Sequence, residues 1–344
     1  MYTIIDSAIL DDFFSSIPQP IPLGDIKDVN CWNSFWTFIQ SETDLSIQNH
    51  NADKNYNNPY FQFYTQMTKG RGDSKIAFEK EKFAKPFKSE FRVDNPYTFY
   101  CINEEDEMEQ SKYKRKNGLL IAFKNDYKKQ WSDLKILNKY KEIPVRKNYS
   151  GKIFKSWHEL GDYLLPFTDI VLADNYLLSD YSLVESNLKP LLLQLDKATP
   201  VKYNLTIITY EDQIDKKYKR DGTQEYEKLN SFKLENQLNC NLSFVMNKGS
   251  ALREHDRGIF MNYLRITSGD SFNYFNSKNE IITNGTDIQF KSMALPESFN
   301  SAKAALENLA AIVSKMKKNY PTTHTFGTLE NRLLNIEHSK SSNS

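Results

Sequence analysis

Apolar positions are most regularly spaced in the second half of the chain. Phe167–Leu172 (FTDIVL) reads as an apolar strand ending at Ala173-Asp174-Asn175-Tyr176. A run of that length bounded by polar residues predicts a strand buried on both faces. Leu188, Leu191, Leu192 and Leu195 recur at helical spacing, which predicts a helix over 183–195. Leu205–Thr209 and Leu242–Val245 read as further buried strands, and Ile259–Ile266 and Ile281–Phe290 continue the strand pattern. Trp157–Leu165 reads as a helix. Ala302, Ala305, Leu306, Leu309, Ile312, Val313 and Met316 form one apolar stripe, with Pro296 before it and Pro321 after it as helix limits. Strands alternating with helices predict an α/β fold whose mixed or largely parallel sheet is flanked by helices.

The first half is less regular. Phe13, Phe14, Trp32, Phe35, Trp36 and Phe38 form an aromatic cluster, expected to be the core of one or two helices. Residues 42–58 are polar and Asn-rich and read as a loop. Phe91–Ile102 has the β-branched and aromatic content of a strand interrupted by Pro96, and Gly118–Phe123 reads as a buried strand. The acidic Glu104–Glu109 and basic Lys112–Lys116 runs between them predict an exposed, charge-segregated hairpin loop. These elements suggest an α+β N-terminal domain over 1–150, with a boundary near Lys147–Lys152. A domain over 151–320 follows, and 321–344 is expected to be a tail.

Composition narrows the functions. The 344 residues suffice for two domains, and a net charge of +1 does not mark a globally basic nucleic-acid binder. Cys31, Cys101 and Cys240 are scattered and form no CxxC pair. Neither a disulfide framework nor a structural zinc site is expected, and a reducing cytoplasm fits best. No basic n-region with an apolar h-region opens the chain, and no apolar run approaches the ~18 residues of a membrane span.

One segment carries chemistry. His255-Asp256-Arg257 is followed by four residues, Asn262, six residues, then Gly269-Asp270-x-x-Asn273. This spacing is similar to the HxK, Asp, GSxxN motif of the phospholipase-D superfamily, with Arg257 in place of Lys, Asn262 in place of Asp and Asp270 in place of Ser. With the preceding strand, leucine helix and strand, residues ~155–320 most closely resemble the phospholipase-D-like C-terminal domain of MIT-domain-containing proteins. No MIT helical bundle is read in residues 1–150. The resemblance implies a phospholipase-D-like fold and a phosphate-facing site. It does not imply catalysis, because that family is thought to bind membrane lipids.

The residues have their own logic. Imidazole can form a covalent phosphohistidine, which makes His255 the candidate nucleophile and Asn273 its catalytic companion. On a strand, Arg257 would share a face with His255 and offer phosphate a planar fork that stays charged. Asn262, Arg253 and Lys248 are the other candidate phosphate ligands. Asp174 and Tyr176 end a strand where α/β sheets usually bind ligands, and Asp270 would orient His255 or Arg257. No metal or cofactor is called for.

The first expectation is therefore a recognition module for a phosphorylated ligand (nucleic acid, nucleotide or lipid headgroup), in a setting compatible with microbial defence. The alternatives are a metal-independent phosphodiesterase or nuclease whose second His255 comes from a homodimer, and a structural subunit of a larger complex. Arg71-Gly72-Asp73 reads as chance. Lys216, Lys217, Lys219 and Arg220 around Tyr218 read as a solvated basic face rather than a phosphate contact.

Overall fold

The computed structural model describes residues 1–20, 23–48, 76–78, 95–136, 141–211, 221–253 and 256–334. The protein is α/β, with one wholly parallel sheet and one mixed sheet. It divides into two compact units, Met1–Ile136 with Ala294–Pro296, and Leu137–Met293 with Glu297–Ser344. The polar stretch Lys147–Lys152 is therefore not the division. The strand just before it belongs to the second sheet.

In the first unit, strands β1 (Tyr2–Asp6), β2 (Asp44–Gln48), β3 (Ile76–Phe78), β4 (Thr98–Ile102) and β5 (Ile121–Phe123) are ordered β3-β2-β1-β4-β5. All pairs are parallel. The unit is thus α/β rather than α+β, because its sheet is wholly parallel and helices α1 (Ser7–Ser15), α2 (Ile26–Thr37), α3 (Glu107–Asn117) and α4 (Tyr127–Ile136) intersperse the strands. Part of the Asn-rich 42–58 stretch is strand β2, whose Leu45 and Ile47 are buried. The charge-segregated stretch is not a hairpin loop but α3. Asp106 caps it by accepting from the N–H groups of Met108 and Glu109, and Gly118 ends it at φ 57°. Acids in the first turn and bases further along suit the helix dipole, so the charge order that looked like a loop is a helix signal. The aromatic cluster packs Phe13 on Trp32 (centroids 4.7 Å) and Phe38 on Trp131 (4.3 Å).

The second unit is an eight-stranded sheet ordered β13-β9-β8-β7-β10-β11-β12-β6. Its strands are β6 (Lys141–Arg146), β7 (Asp169–Ala173), β8 (Tyr203–Tyr210), β9 (Cys240–Asn247), β10 (Gly258–Met261), β11 (Leu264–Ser268), β12 (Asn284–Ser292) and β13 (Thr325–Phe326). β7, β8 and β9 are parallel, and the others are antiparallel to their neighbours. The expected strand 259–266 is in fact a hairpin that turns at Asn262 and Tyr263. The expected tail contains β13 and the helical turn Arg332–Leu334, and residues 335–344 lie outside the described residues.

On one face, Ile170, Leu172, Leu205, Ile207, Phe244, Ile259 and Ile266 pack against Trp157, Leu188, Leu191, Leu195, Leu229 and Phe232. Those side chains come from a 3-10 helix (Trp157–Tyr163), a helical stretch 181–198 ending in α5 (Lys189–Ala198), and α6 (Gly222–Glu235). A π turn at Val184–Leu188 interrupts the leucine helix. Buried Asn187 explains it, since its Oδ1 accepts from the backbone of Tyr274 and Phe275 and its Nδ2 donates to the Phe275 carbonyl. The long helix α7 (Pro296–Asn319) reaches the other face, where Arg265 lies over Phe260 and donates to Ser301 (2.8 Å). The edge strand β6 contains Pro144, and its carbonyl accepts from the Phe154 N–H (2.9 Å).

Candidate functional site

The C-terminal ends of parallel β7, β8 and β9 define one end of the second sheet. Open α/β sheets bind ligands at such ends. Asp174, directly after β7, is fully buried. Its Oδ1 accepts from the Tyr176 N–H (2.9 Å), and its Oδ2 accepts from Ser271 Oγ (2.7 Å) and the Phe272 N–H (2.9 Å). Burial holds its carboxyl above the ordinary range. The three hydrogen bonds and the nearby Arg257 charge oppose that shift without cancelling it. Asp174 thus ties the strand end to the 269–273 loop.

Asn273 continues the tie. Its Nδ2 donates to the Tyr176 carbonyl (2.7 Å) and to Ser179 Oγ (3.4 Å), while its buried Oδ1 has no hydrogen-bond partner among the described residues. Asp270 is exposed and accepts from the next N–H, that of Ser271 (2.8 Å). The orienting role expected of it has no contact with Arg257 among the described residues.

The segment between β9 and β10 crosses the ends of β8 and β7, because β10 lies beside β7. Amide pins hold this crossover in place. Asn247 Nδ2 donates to the Ser250 carbonyl (2.6 Å), and Asn175 exchanges two bonds with the Leu252 backbone (3.0 and 2.7 Å). The Asp256 N–H donates to the Arg253 carbonyl (3.0 Å), and the face that His255 was expected to share with Arg257 falls outside the described residues. β10 begins only at Gly258, where a Cβ would lie 2.9 Å from the Ile266 carbonyl oxygen. Asp256 is buried and accepts from Asn308 Nδ2 of α7 (3.2 Å).

Arg257 is half-buried at the start of β10, in the field of Asp174. Its Nε is buried and without a hydrogen-bond partner among the described residues. Lys248 stands over the Tyr320 ring (4.8 Å to the centroid), and Arg253 is exposed. His255 lies outside the described residues, as do Lys216, Lys217, Lys219, Arg220 and the 71–73 tripeptide.

Asn262 is not with them. It sits in the β10–β11 turn at the opposite end of the sheet, fully buried, with Oδ1 accepting from the N–H groups of Thr168 (2.8 Å) and Asp169 (3.1 Å). The reason is geometric. Four strand residues carry the chain about 13 Å, so motif spacing counted along the sequence took Asn262 away from Arg257. At that end buried Asp169 also binds Arg332 through Nε (2.9 Å) and Nη2 (2.6 Å), and Asn204 Nδ2 (2.9 Å). Ser271, Asn175 and Asn308 went unnoticed in the sequence. Asn175 had a signal, lying inside the polar cluster that ends β7; Asn308 had none.

No group of three or more His, Cys, Asp or Glu side chains among the described residues could hold a metal ion. None of the described helices is long and apolar enough to cross a membrane. The chain matches no protein-family model and no curated protein.

Proposed function

We propose that the second unit is a phosphate-ligand recognition module on a phospholipase-D-like scaffold, with Arg257 as the principal phosphate contact. The observation that carries this reading is the half-buried Arg257 guanidinium, which forms no ion pair with another described residue, at the C-terminal end of the parallel strands. A guanidinium is strongly charged and rich in donors, and a phosphate oxygen would bind it with a charge-assisted bond. Asp174 lies within electrostatic reach of Arg257 but forms no ion pair with it, its oxygens being taken by Tyr176, Ser271 and Phe272.

Inorganic pyrophosphate, titrated by calorimetry into the full chain, tests this. Arg257→Ala should lower its affinity about tenfold or more, as loss of a charge-assisted bond implies, while Asn262→Gln, at the opposite end, should leave it unchanged. Equal binding by wild type and Arg257→Ala would overturn the reading. Hydrolysis of pyrophosphate or of a phosphodiester that disappears in His255→Ala would replace recognition by catalysis.

A further inference from the structure

The aromatic residues of the first unit do not fill the space they enclose. Phe13 of α1, Trp32 and Phe35 of α2 and Tyr127 of α4 line a cavity of about 250 Å³. Phe13 stacks on Trp32 and meets Phe35 edge-on at 5.1 Å, and Phe35 lies 5.7 Å from Tyr127. The polar atoms of these rings are already engaged. Trp32 Nε1 donates to the Phe13 carbonyl (3.2 Å), and the Tyr127 hydroxyl donates to Asp12 Oδ2 (3.1 Å). The walls therefore offer carbon surface in the stacked and edge-on arrangements that aromatic rings prefer. A cavity of about 150 Å³ in a protein core already admits benzene, so one ring fits here, whereas drug-sized molecules need about 300–1,000 Å³.

Two opposite charges line the same cavity. Lys128 and Asp28 are both exposed. Lys128 Nζ donates to Ser16 Oγ (2.8 Å) and lies 5.6 Å from the Tyr127 ring centroid, which keeps it at the cavity. Neither charge forms an ion pair with the other or with another described residue. Half-buried Cys31 lines the cavity too, its Sγ 3.7 Å from the Lys128 carbonyl. Burial holds its thiol above the ordinary value, with Lys128 opposing that shift and Asp28 adding to it, so both charges reach one wall.

We propose that this cavity binds a free aromatic α-amino acid, its ring among Phe13, Trp32, Phe35 and Tyr127, its carboxylate at Lys128 and its ammonium at Asp28. A zwitterion meets both charges at once. An aromatic monoanion would face Asp28, and an aromatic amine would face Lys128, each a like-charge contact that disfavours the wrong ligand. An uncharged ring would use neither. The site lies wholly in the first unit and is independent of the phosphate reading.

Calorimetric titration of L-phenylalanine into the full chain tests this, with phenylacetate, phenethylamine and benzyl alcohol as controls. L-phenylalanine should bind about two- to fivefold more tightly than either singly charged control, the usual worth of an exposed ion pair. Asp28→Asn should remove its advantage over phenylacetate, and Lys128→Gln its advantage over phenethylamine. Both positions are exposed, so folding should be spared. Bound L-phenylalanine should also slow alkylation of Cys31 by iodoacetamide, followed by peptide mass; Cys101 and Cys240 are buried. Neither heat nor protection of Cys31 at the solubility limit of L-phenylalanine would overturn the proposal. So would benzyl alcohol binding as tightly as L-phenylalanine, or preferences that survive both substitutions, since the cavity would then be an apolar hollow that reads no charge.

Discussion

The two ends of the second sheet are built from similar residues that are paired differently. At the end where β7 begins, Asp169 is saturated. Arg332 and Asn204 donate to it, and Asn262 accepts the adjoining backbone N–H groups. At the end where β7 stops, Asp174 is saturated too, yet Arg257 Nε and Asn273 Oδ1 have no hydrogen-bond partner among the described residues. Buried polar groups are nearly always paired. The saturated Asp169 is explained by stability alone, whereas the arginine near Asp174 is the group on which the proposed phosphate contact rests.

Mutations should separate the two ends. The largest effect is expected at Asp169. Asp169→Ala strands the Arg332 guanidinium and should cost about 3–5 kcal/mol in urea unfolding, with no change in pyrophosphate affinity beyond that of the unfolded fraction. Asn262→Ala leaves two buried N–H groups unmet and should cost roughly 2–4 kcal/mol, again without a selective binding defect.

Asp174 should show its burial through pH. Its folded carboxyl lies above the ordinary range, so between that range and its raised value the folded chain holds protons that the unfolded chain has released. Stability from this group therefore falls as pH rises through the window. Asp174→Asn, which does not titrate, should lie furthest below wild type at the acid end of a denaturation series. The gap should narrow as pH climbs, and a gap that widens would contradict the placement. The smallest effect on stability belongs to Arg257→Ala, expected within about 1 kcal/mol of wild type even though it carries the largest effect on binding. A destabilisation as large as that of Asp169→Ala would make Arg257 one more structural pin and erase the contrast between the ends.

Much of this was legible in the residue pattern, and the exceptions share a cause. The buried strands β7, β8 and β9 and the apolar stripe of α7 announce themselves because each is a local property of consecutive residues. Asp174 could be found because the apolar run before it stops abruptly. Asn262 was misplaced because a motif records distance along the chain and is silent about direction, and here the chain reverses. Helix α3 was missed because it is polar nearly all round, leaving capping and charge order as its only signals. The pairing of Asp256 with Asn308 spans 52 positions and could be seen only in the fold.

Pro144 sits on the last strand of the second sheet, and the carbonyl it presents outward is already taken by Phe154. Proline has no amide hydrogen to offer a newcomer, and the opposite border, β13, is only two residues long. Both borders are poor templates for a further strand, which discourages fibril growth and strand exchange. An assembly that extended the sheet across two copies at β6 would have to displace Phe154 first.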